Sequence, residues 1–129
     1  MGYEIAGGWG AKMANPSREV IVFVGDGSYL MLNSDIYSTV LTGHKMIVIV
    51  CDNGGFSVIN RLQNFKGSAS FNNLLQDCKV ENLQGVDFVQ HATSMGALGE
   101  HVESTTLSGM KLLINIQDQP TKFLQATVR

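Results

Sequence analysis

Two short runs constrain this chain more than anything else in it. Val20-Ile-Val-Phe-Val24 stops at Gly25-Asp26-Gly27-Ser28, and Ile47-Val-Ile-Val-Cys51 stops at Asp52-Asn53-Gly54-Gly55. A continuous β-branched and apolar run bounded by glycines predicts a parallel strand buried on both faces. Between the runs, Asn33 to Gly43 predicts a helix. Asn33 or Ser34 is placed to cap it, Ile36, Tyr37, Val40 and Leu41 form its apolar stripe, and Gly43 stops it. Strand, helix and strand make a βαβ unit, in which both strands point their carboxyl ends to one edge of the sheet. Asp26 and Asn53, 27 residues apart, are therefore expected to meet at the edge where such sheets bind ligands.

The atoms offered there are hard oxygens. Asp26 supplies a carboxylate and Asn53 an amide oxygen, while the surrounding glycines let backbone groups approach a ligand closely. One carboxylate and one amide are too few for a Ca2+ cage, but they suit Mg2+, which keeps waters and takes further oxygens from a substrate phosphate. The amides of Gly27 and Ser28 are expected to support that phosphate ahead of the next helix. The ligand implied is a metal-bound di- or triphosphate.

Gly25-Asp26-Gly27-Ser28, followed by a helix, an apolar strand and Asp52-Asn53, resembles the G-D-G to N-N signature of thiamin-diphosphate enzymes. The resemblance implies that Asp26, Asn53 and the main chain of Gly55 hold Mg2+ against the cofactor diphosphate, with Asp52 standing where the family more often has asparagine. It implies cofactor contacts at Met1, Gly2, Gly25, Asp26, Gly27, Ser28, Asn53, Gly55 and Phe56. Met1-Gly-Tyr-Glu-Ile-Ala-Gly-Gly-Trp-Gly-Ala-Lys-Met-Ala14 looks like the helix that precedes G-D-G in this family. Met1, 25 residues before the aspartate, then matches the bulky apolar residue that bends the cofactor, and is not expected to be a natural start. Phe56-Ser-Val-Ile-Asn-Arg-Leu-Gln63 and Ser70-Phe-Asn-Asn-Leu-Leu75 look most like the trihydroxycyclohexane-1,2-dione hydrolases of inositol catabolism. That branch implies hydrolytic C–C cleavage of a cyclic, polyhydroxylated 1,2-diketone.

Composition sets the frame for these motifs. With 129 residues, 44% hydrophobic and 16% charged, the chain reads as one α/β domain able to bury a single core. A net charge of −2 without a basic cluster speaks against nucleic acid as a partner. The longest apolar run, Met46 to Cys51, is far short of the ~18 residues of a spanning helix, so no membrane partner is expected. Cys51 and Cys78 are expected to be free thiols of a cytoplasmic protein.

The rest of the chain alternates in kind. Residues 3 to 14 predict a helix despite Gly7, Gly8 and Gly10, each costing about 1 kcal/mol against alanine, so something must approach that helix closely. Ser57 to Phe65 predicts a helix with Val58, Ile59 and Leu62 inward. The amide-rich set Asn60, Gln63, Asn64, Asn72 and Asn73 is available to a polar substrate or to ordinary loop and cap bonds, with Arg61 beside it. Asp87 caps a helix running to Gly96, Leu98 to Glu103 is a strand, Thr105 to Gln117 a helix, and the segment up to Val128 a last strand. The fold class is thus α/β: a parallel sheet of at least four strands with helices on both faces. The family resemblance makes it a thiamin-diphosphate-binding fold truncated at its N-terminal side.

Other sites are weaker. His44, His91 and His101 lack metal-ligand spacing and read as surface histidines, while Trp9 and Tyr29 read as packing residues. Gly7-Gly8-Trp9-Gly10 precedes a strand instead of following one, which disfavours a dinucleotide site. Two other readings of Gly25-Asp-Gly are a phosphotransferase and a non-catalytic diphosphate-binding module. The phosphotransferase patterns are incomplete here, with Val24, Ser28 and Tyr29-Leu30 at positions those patterns fill differently.

Thiamin chemistry also needs an activating glutamate, which the family supplies from another domain of a neighbouring subunit. Glu4, Glu19, Glu81, Glu100 and Glu103 lack that context, so this residue is expected outside the chain. The chain reads as the diphosphate and metal portion of a larger homo-oligomeric enzyme, inactive alone. A 2-keto acid decarboxylase or an acetolactate-synthase-like enzyme is the alternative, with Arg61 as the carboxylate partner.

Overall fold

The computed structural model describes residues 1–79, 85–102 and 122–127. The element order is α1 (Glu4–Ala14), β1 (Ile21–Gly25), α2 (Asp26–Met31), α3 (Asp35–Leu41), β2 (Ile47–Asp52), α4 (Ser57–Phe65), a 3-10 turn (Leu75–Asp77), α5 (Phe88–Ser94), β3 (Leu98–Val102) and β4 (Lys122–Thr127). The strands are all parallel and lie in the order β1-β2-β4-β3. This is the parallel α/β arrangement that the alternation of elements predicts. The helix expected over 105–117 lies outside the described residues.

Register places the functional edge. Ile21 pairs with Ile47 and Gly25 with Cys51, so both strands end together and Asp26 and Asn53 emerge side by side. β2 matches its sequence pattern, with Ile47, Val48, Ile49 and Val50 all buried. β1 does not. Val22 and Val24 are buried against the core, but Ile21 is 47% and Phe23 62% exposed. An apolar run alone does not tell one covered face from two, and β1 is flanked by a strand on one side while β2 lies between β1 and β4.

The core joins Ile5, Val22, Val24, Tyr29, Ile36, Met46, Val48, Val50, Phe88, Ala92 and Ala97. Burying each of the larger of these side chains contributes about 1.5–3 kcal/mol. Gly8 explains the tolerance for glycine in α1: a Cβ there would lie 2.3 Å from Val22 Cγ2, so the helix rests directly on β1. At Gly10 a Cβ would meet nothing within 4 Å among the described residues. At the helix end the Lys12 ammonium donates to the Arg18 carbonyl at 2.6 Å, tying α1 to the approach of β1.

The segment after β1 departs from expectation. Asp26–Met31 is already helical, and the helix expected over 33–43 is confined to Asp35–Leu41. A six-residue helix carrying a glycine leaves no periodic signature. What fixes it is tertiary: Tyr29 is fully buried, its ring meets Phe88 edge-on at 5.3 Å, and its hydroxyl lies 2.8 Å from His91 Nδ1. Asn33 does not cap α3 but donates its amide N–H to the Tyr29 carbonyl. In α3 the buried stripe is Ile36 and Thr39, whereas Tyr37 and Leu41 face out. Gly43 at φ +67 ends that helix as expected. Asp87 caps α5 by accepting the Gln90 N–H at 2.8 Å.

α4 has its expected bounds with the opposite face inward. Val58 (60% exposed), Ile59 (38%) and Leu62 (55%) look outward, and Asn60 is buried. Helical periodicity predicts that these apolar residues share a face, but which way that face points depends on the loop entering the helix.

Candidate functional site

The carboxyl edge of β1 and β2 carries a cleft of about 200 Å3. The approach to α1 contributes Met1 and Glu4, the β1–α2 junction contributes Gly25, Gly27 and Ser28, and the β2–α4 loop contributes Asn53, Gly55 and Phe56. These include seven of the nine positions singled out in the sequence. The other two lie just behind: Gly2 donates its N–H to Ser28 Oγ at 2.8 Å, and Asp26 is only 3% exposed beneath the rim. Ser57, Val58 and Ile59 complete the lining. Met1 is 59% exposed and open on its outer side.

Asp26 is held by the loop after β2. Its Oδ2 accepts the Gly55 N–H at 2.6 Å, across 29 residues. Oδ1 turns toward Asn53, one amide atom of which lies 3.2 Å from it, 3.0 Å from the Gly55 carbonyl oxygen and 3.0 Å from Ser57 Oγ. Oxygen and nitrogen of an amide occupy nearly the same volume, so the neighbours decide which belongs there. Nitrogen donates to these acceptors; oxygen leaves carboxylate, amide and carbonyl converging with no proton between them, which a cation stabilises. One formal charge with neutral oxygens is the donor set of a Mg2+ that completes its shell with waters and phosphate. No group of three His, Cys, Asp or Glu side chains suited to a metal occurs among the described residues.

Glycines make this approach geometrically feasible. A Cβ on Gly27 would sit 2.6 Å from Phe56 Cδ1 and 3.1 Å from the Gly55 carbonyl, so α2 and the β2–α4 loop meet only because the residue is glycine. Gly27 and Ser28 lie in the first turn of α2, where backbone N–H groups have no partner within the helix.

Glu4 is the residue that sequence reasoning passed over. Its Oε1 accepts the Ser28 hydroxyl at 2.8 Å, while Oε2 is enclosed without a hydrogen-bond partner among the described residues. Burial pushes its pKa up, while bonds from its own N–H, Ser28 and Gly2 pull it down, and it lies lowered overall. The available signal was the proximity of position 4 to Met1 on one turn, which does not reveal that Ser28 lies across from it. A lowered folded pKa adds stability above the ordinary carboxyl range and loses it as pH falls through the folded value. Glu4→Gln is therefore expected to narrow its stability difference from wild type as the pH drops from 6 to 3. Urea midpoints across that range measure this, and a difference independent of pH contradicts it.

Cys51 and Cys78 are free thiols, and burial together with the Asp26 charge pushes the Cys51 pKa up. Burial likewise raises the Tyr29 phenol, consistent with a packing role. His91 is exposed as expected but also engages Tyr29. Glu81 and Glu103 lie outside the described residues. The amide-rich set is largely turned on itself. Gln63 donates to the Ala69 carbonyl and accepts from Asn73, and Asn64 pairs with Ser70. No helix among the described residues is long and apolar enough to cross a membrane.

A parallel sheet whose strand ends gather a carboxylate, an amide and close-approach glycines defines an α/β domain with a candidate site at the carboxyl edge of its sheet. Comparison with known proteins makes the class specific: residues 1–118 match the family described as thiamine pyrophosphate enzyme, C-terminal TPP binding domain, and the chain belongs to that family. Among its relatives is the 3D-(3,5/4)-trihydroxycyclohexane-1,2-dione hydrolase of Bacillus thuringiensis (strain Al Hakam), 41% identical over 110 residues, 81% of this chain and 17% of that protein. The protein of that name from Geobacillus thermodenitrificans (strain NG80-2) is 51% identical over 71 residues, 55% of this chain and 11% of its own length. The chain therefore spans under a fifth of the curated relatives it matches. Among solved structures, the Rhodococcus jostii RHA1 thiamine diphosphate-dependent 4-hydroxybenzoylformate decarboxylase superposes with a TM-score of 0.72 at 20% identity, covering all of this chain and 23% of that one. That likeness concerns the fold.

Proposed function

We propose that this chain is the diphosphate- and Mg2+-binding portion of an enzyme that hydrolytically cleaves a C–C bond of a trihydroxycyclohexane-1,2-dione. The single observation behind the metal reading is that one Asn53 amide atom lies 3.2 Å from Asp26 Oδ1 and 3.0 Å from the Gly55 carbonyl oxygen. Asp26, Asn53 and the Gly55 carbonyl hold the cation; Gly25, Gly27 and Ser28 present backbone to the diphosphate; Met1, Gly2 and Phe56 border the rest of the cofactor. In this reading residues 1–129 form one domain, a parallel sheet of at least four strands with helices on both faces. It works with further domains in a cytoplasmic homo-oligomer, and alone it is inactive.

Bound thiamin diphosphate supplies an electron sink for cleavage beside a carbonyl. The chain's own part is to bind and orient. The Gly55 N–H fixes the Asp26 carboxylate, and Asp26 is shielded from bulk water at 3% exposure. A cation at that corner offsets the charge of an anionic ligand, which matters because the lining contains Glu4 and, among the described residues, no Lys or Arg.

Relatedness to proteins named trihydroxycyclohexanedione hydrolase supports the substrate over the alternative of a 2-keto acid. The cleft agrees with it. A 2-keto acid needs a cation for its carboxylate, and Arg61 is exposed on α4 and absent from the lining. The test supplies the enzyme carrying this chain with the trihydroxycyclohexanedione and with pyruvate in parallel. Ring-opened acid from the first alone is expected, and CO2 from pyruvate alone would establish the decarboxylase instead.

A further inference from the structure

The loop that presents the Gly55 carbonyl does not stand by itself. Downstream of α4 the chain returns and lies against it: Phe56 N–H donates to the Asn73 carbonyl at 2.7 Å, and Leu75 N–H donates to the Gly54 carbonyl at 2.9 Å. Gly55 and Leu74 form an antiparallel bridge between them. The approach is so close that a Cβ on Gly55 would lie 2.5 Å from the Asn73 carbonyl oxygen. What holds the returning segment is a side-chain relay from α4. Gln63, half-buried, donates its amide N–H to the Ala69 carbonyl and accepts at Oε1 from the Asn73 side-chain amide. Neither Gln63 nor Asn73 lines the cleft.

We propose that the Gln63–Asn73 bridge is a positioning clamp, holding residues 73–75 against Gly54–Phe56 and so fixing the Gly55 carbonyl and the Asp26 carboxylate for cation binding. The chain of contacts is continuous: Gln63 to Asn73, Asn73 to Phe56, and the Gly55 N–H to Asp26 Oδ2. A residue in this clamp touches no ligand, so its loss changes how often the site is correctly formed and not what the site contains. A glycine pair at φ +80 and +131 has backbone freedom to lose its shape once unpinned. The inference rests on the metal reading above for its functional half only.

The experiment separates the two halves. In the cofactor-free full chain, Gln63→Ala and Asn73→Ala are each expected to raise hydrogen exchange at the Phe56 and Leu75 amides about ten-fold, the effect of losing one net hydrogen bond, with Ile47–Val50 unchanged. The double variant is expected to be no worse than either single one, since both break the same bridge. Mn2+ affinity with thiamin diphosphate present, read by electron paramagnetic resonance, should fall about ten-fold in parallel. Unchanged exchange at both amides overturns the clamp, and so does faster exchange with unaltered Mn2+ affinity. If Ile47–Val50 exchange also rises, the variant has loosened the whole fold, and that likewise counts against a local clamp. A wild-type chain that takes up no Mn2+ overturns the metal reading instead, and the exchange data still decide whether the clamp exists.

Discussion

Replacing Asp26 by alanine is expected to weaken thiamin diphosphate binding by the enzyme that carries this chain by about 100-fold or more, about 3 kcal/mol. In the proposed site Asp26 supplies the formal charge where the Asn53 amide meets the Gly55 carbonyl, and without it the neutral oxygens are not expected to hold a divalent ion against water. Asn53→Ala removes a neutral group and is expected to cost less, about ten-fold. Calorimetric titration with Mg2+ and with excess chelator checks both. Chelator should reduce wild-type affinity to that of Asp26→Ala, and an affinity indifferent to chelator would sink the metal role. Because Asp26 also accepts the Gly55 N–H, Asp26→Asn is the companion variant: it keeps an acceptor at that position while losing the charge.

Gly55→Ala is expected to be nearly as damaging without touching any chemical group of the site. The added Cβ would meet the Asn73 carbonyl oxygen at 2.5 Å and Leu74 Cα at 3.2 Å, both backbone atoms that no rotamer change can move. Gly55 also sits at φ +131, where a side chain costs about 1–3 kcal/mol before any clash is counted. The two together should displace residues 73–75, lowering cofactor affinity at least ten-fold and stability by about 2–4 kcal/mol. Gly54→Ala is the informative control. Its φ of +80 carries backbone strain, but a Cβ there meets nothing within 4 Å among the described residues, so it should destabilise without opening the loop. Equal effects of the two substitutions on cofactor affinity would show that strain, not the close approach, is what matters.

Much of the site was legible because its parts are local and its geometry follows from a general rule. Strand identity came from two apolar runs, and parallel pairing then obliged Asp26 and Asn53 to share an edge, as the Gly25–Cys51 register bears out. The Gly8 approach to Val22 followed from the cost of glycine in a helix, which must be met by packing. Less legible were elements whose conformation is enforced from a distance. α2 is helical because Tyr29 is buried against Phe88 and bonded to His91, 62 residues on, and nothing near Asp26 announces it. The apolar stripe of α4 was found but faced the wrong way, since period alone gives a face without a direction. The amide-rich set was seen as polar capacity, and only contacts reveal that Gln63, Asn64 and Asn73 spend it on each other and on their own loop.

By itself, then, the sequence determined the parallel α/β class, the two strands, the meeting of Asp26 and Asn53 at one edge of the sheet and the family to which the chain belongs. These depend on residue type and spacing, which β-strand geometry and the fixed hand of the βαβ unit convert directly into place. The tertiary structure alone decided how Asp26 is oriented, that Glu4 reaches Ser28, which face of β1 is covered, and that residues 73–75 pin the Gly54–Phe56 loop. Each of those is a contact between segments 17 to 29 residues apart or a choice between two faces of one element. Neither is encoded in local pattern, because it is the competition among all segments for burial and hydrogen bonds that settles which of them meet.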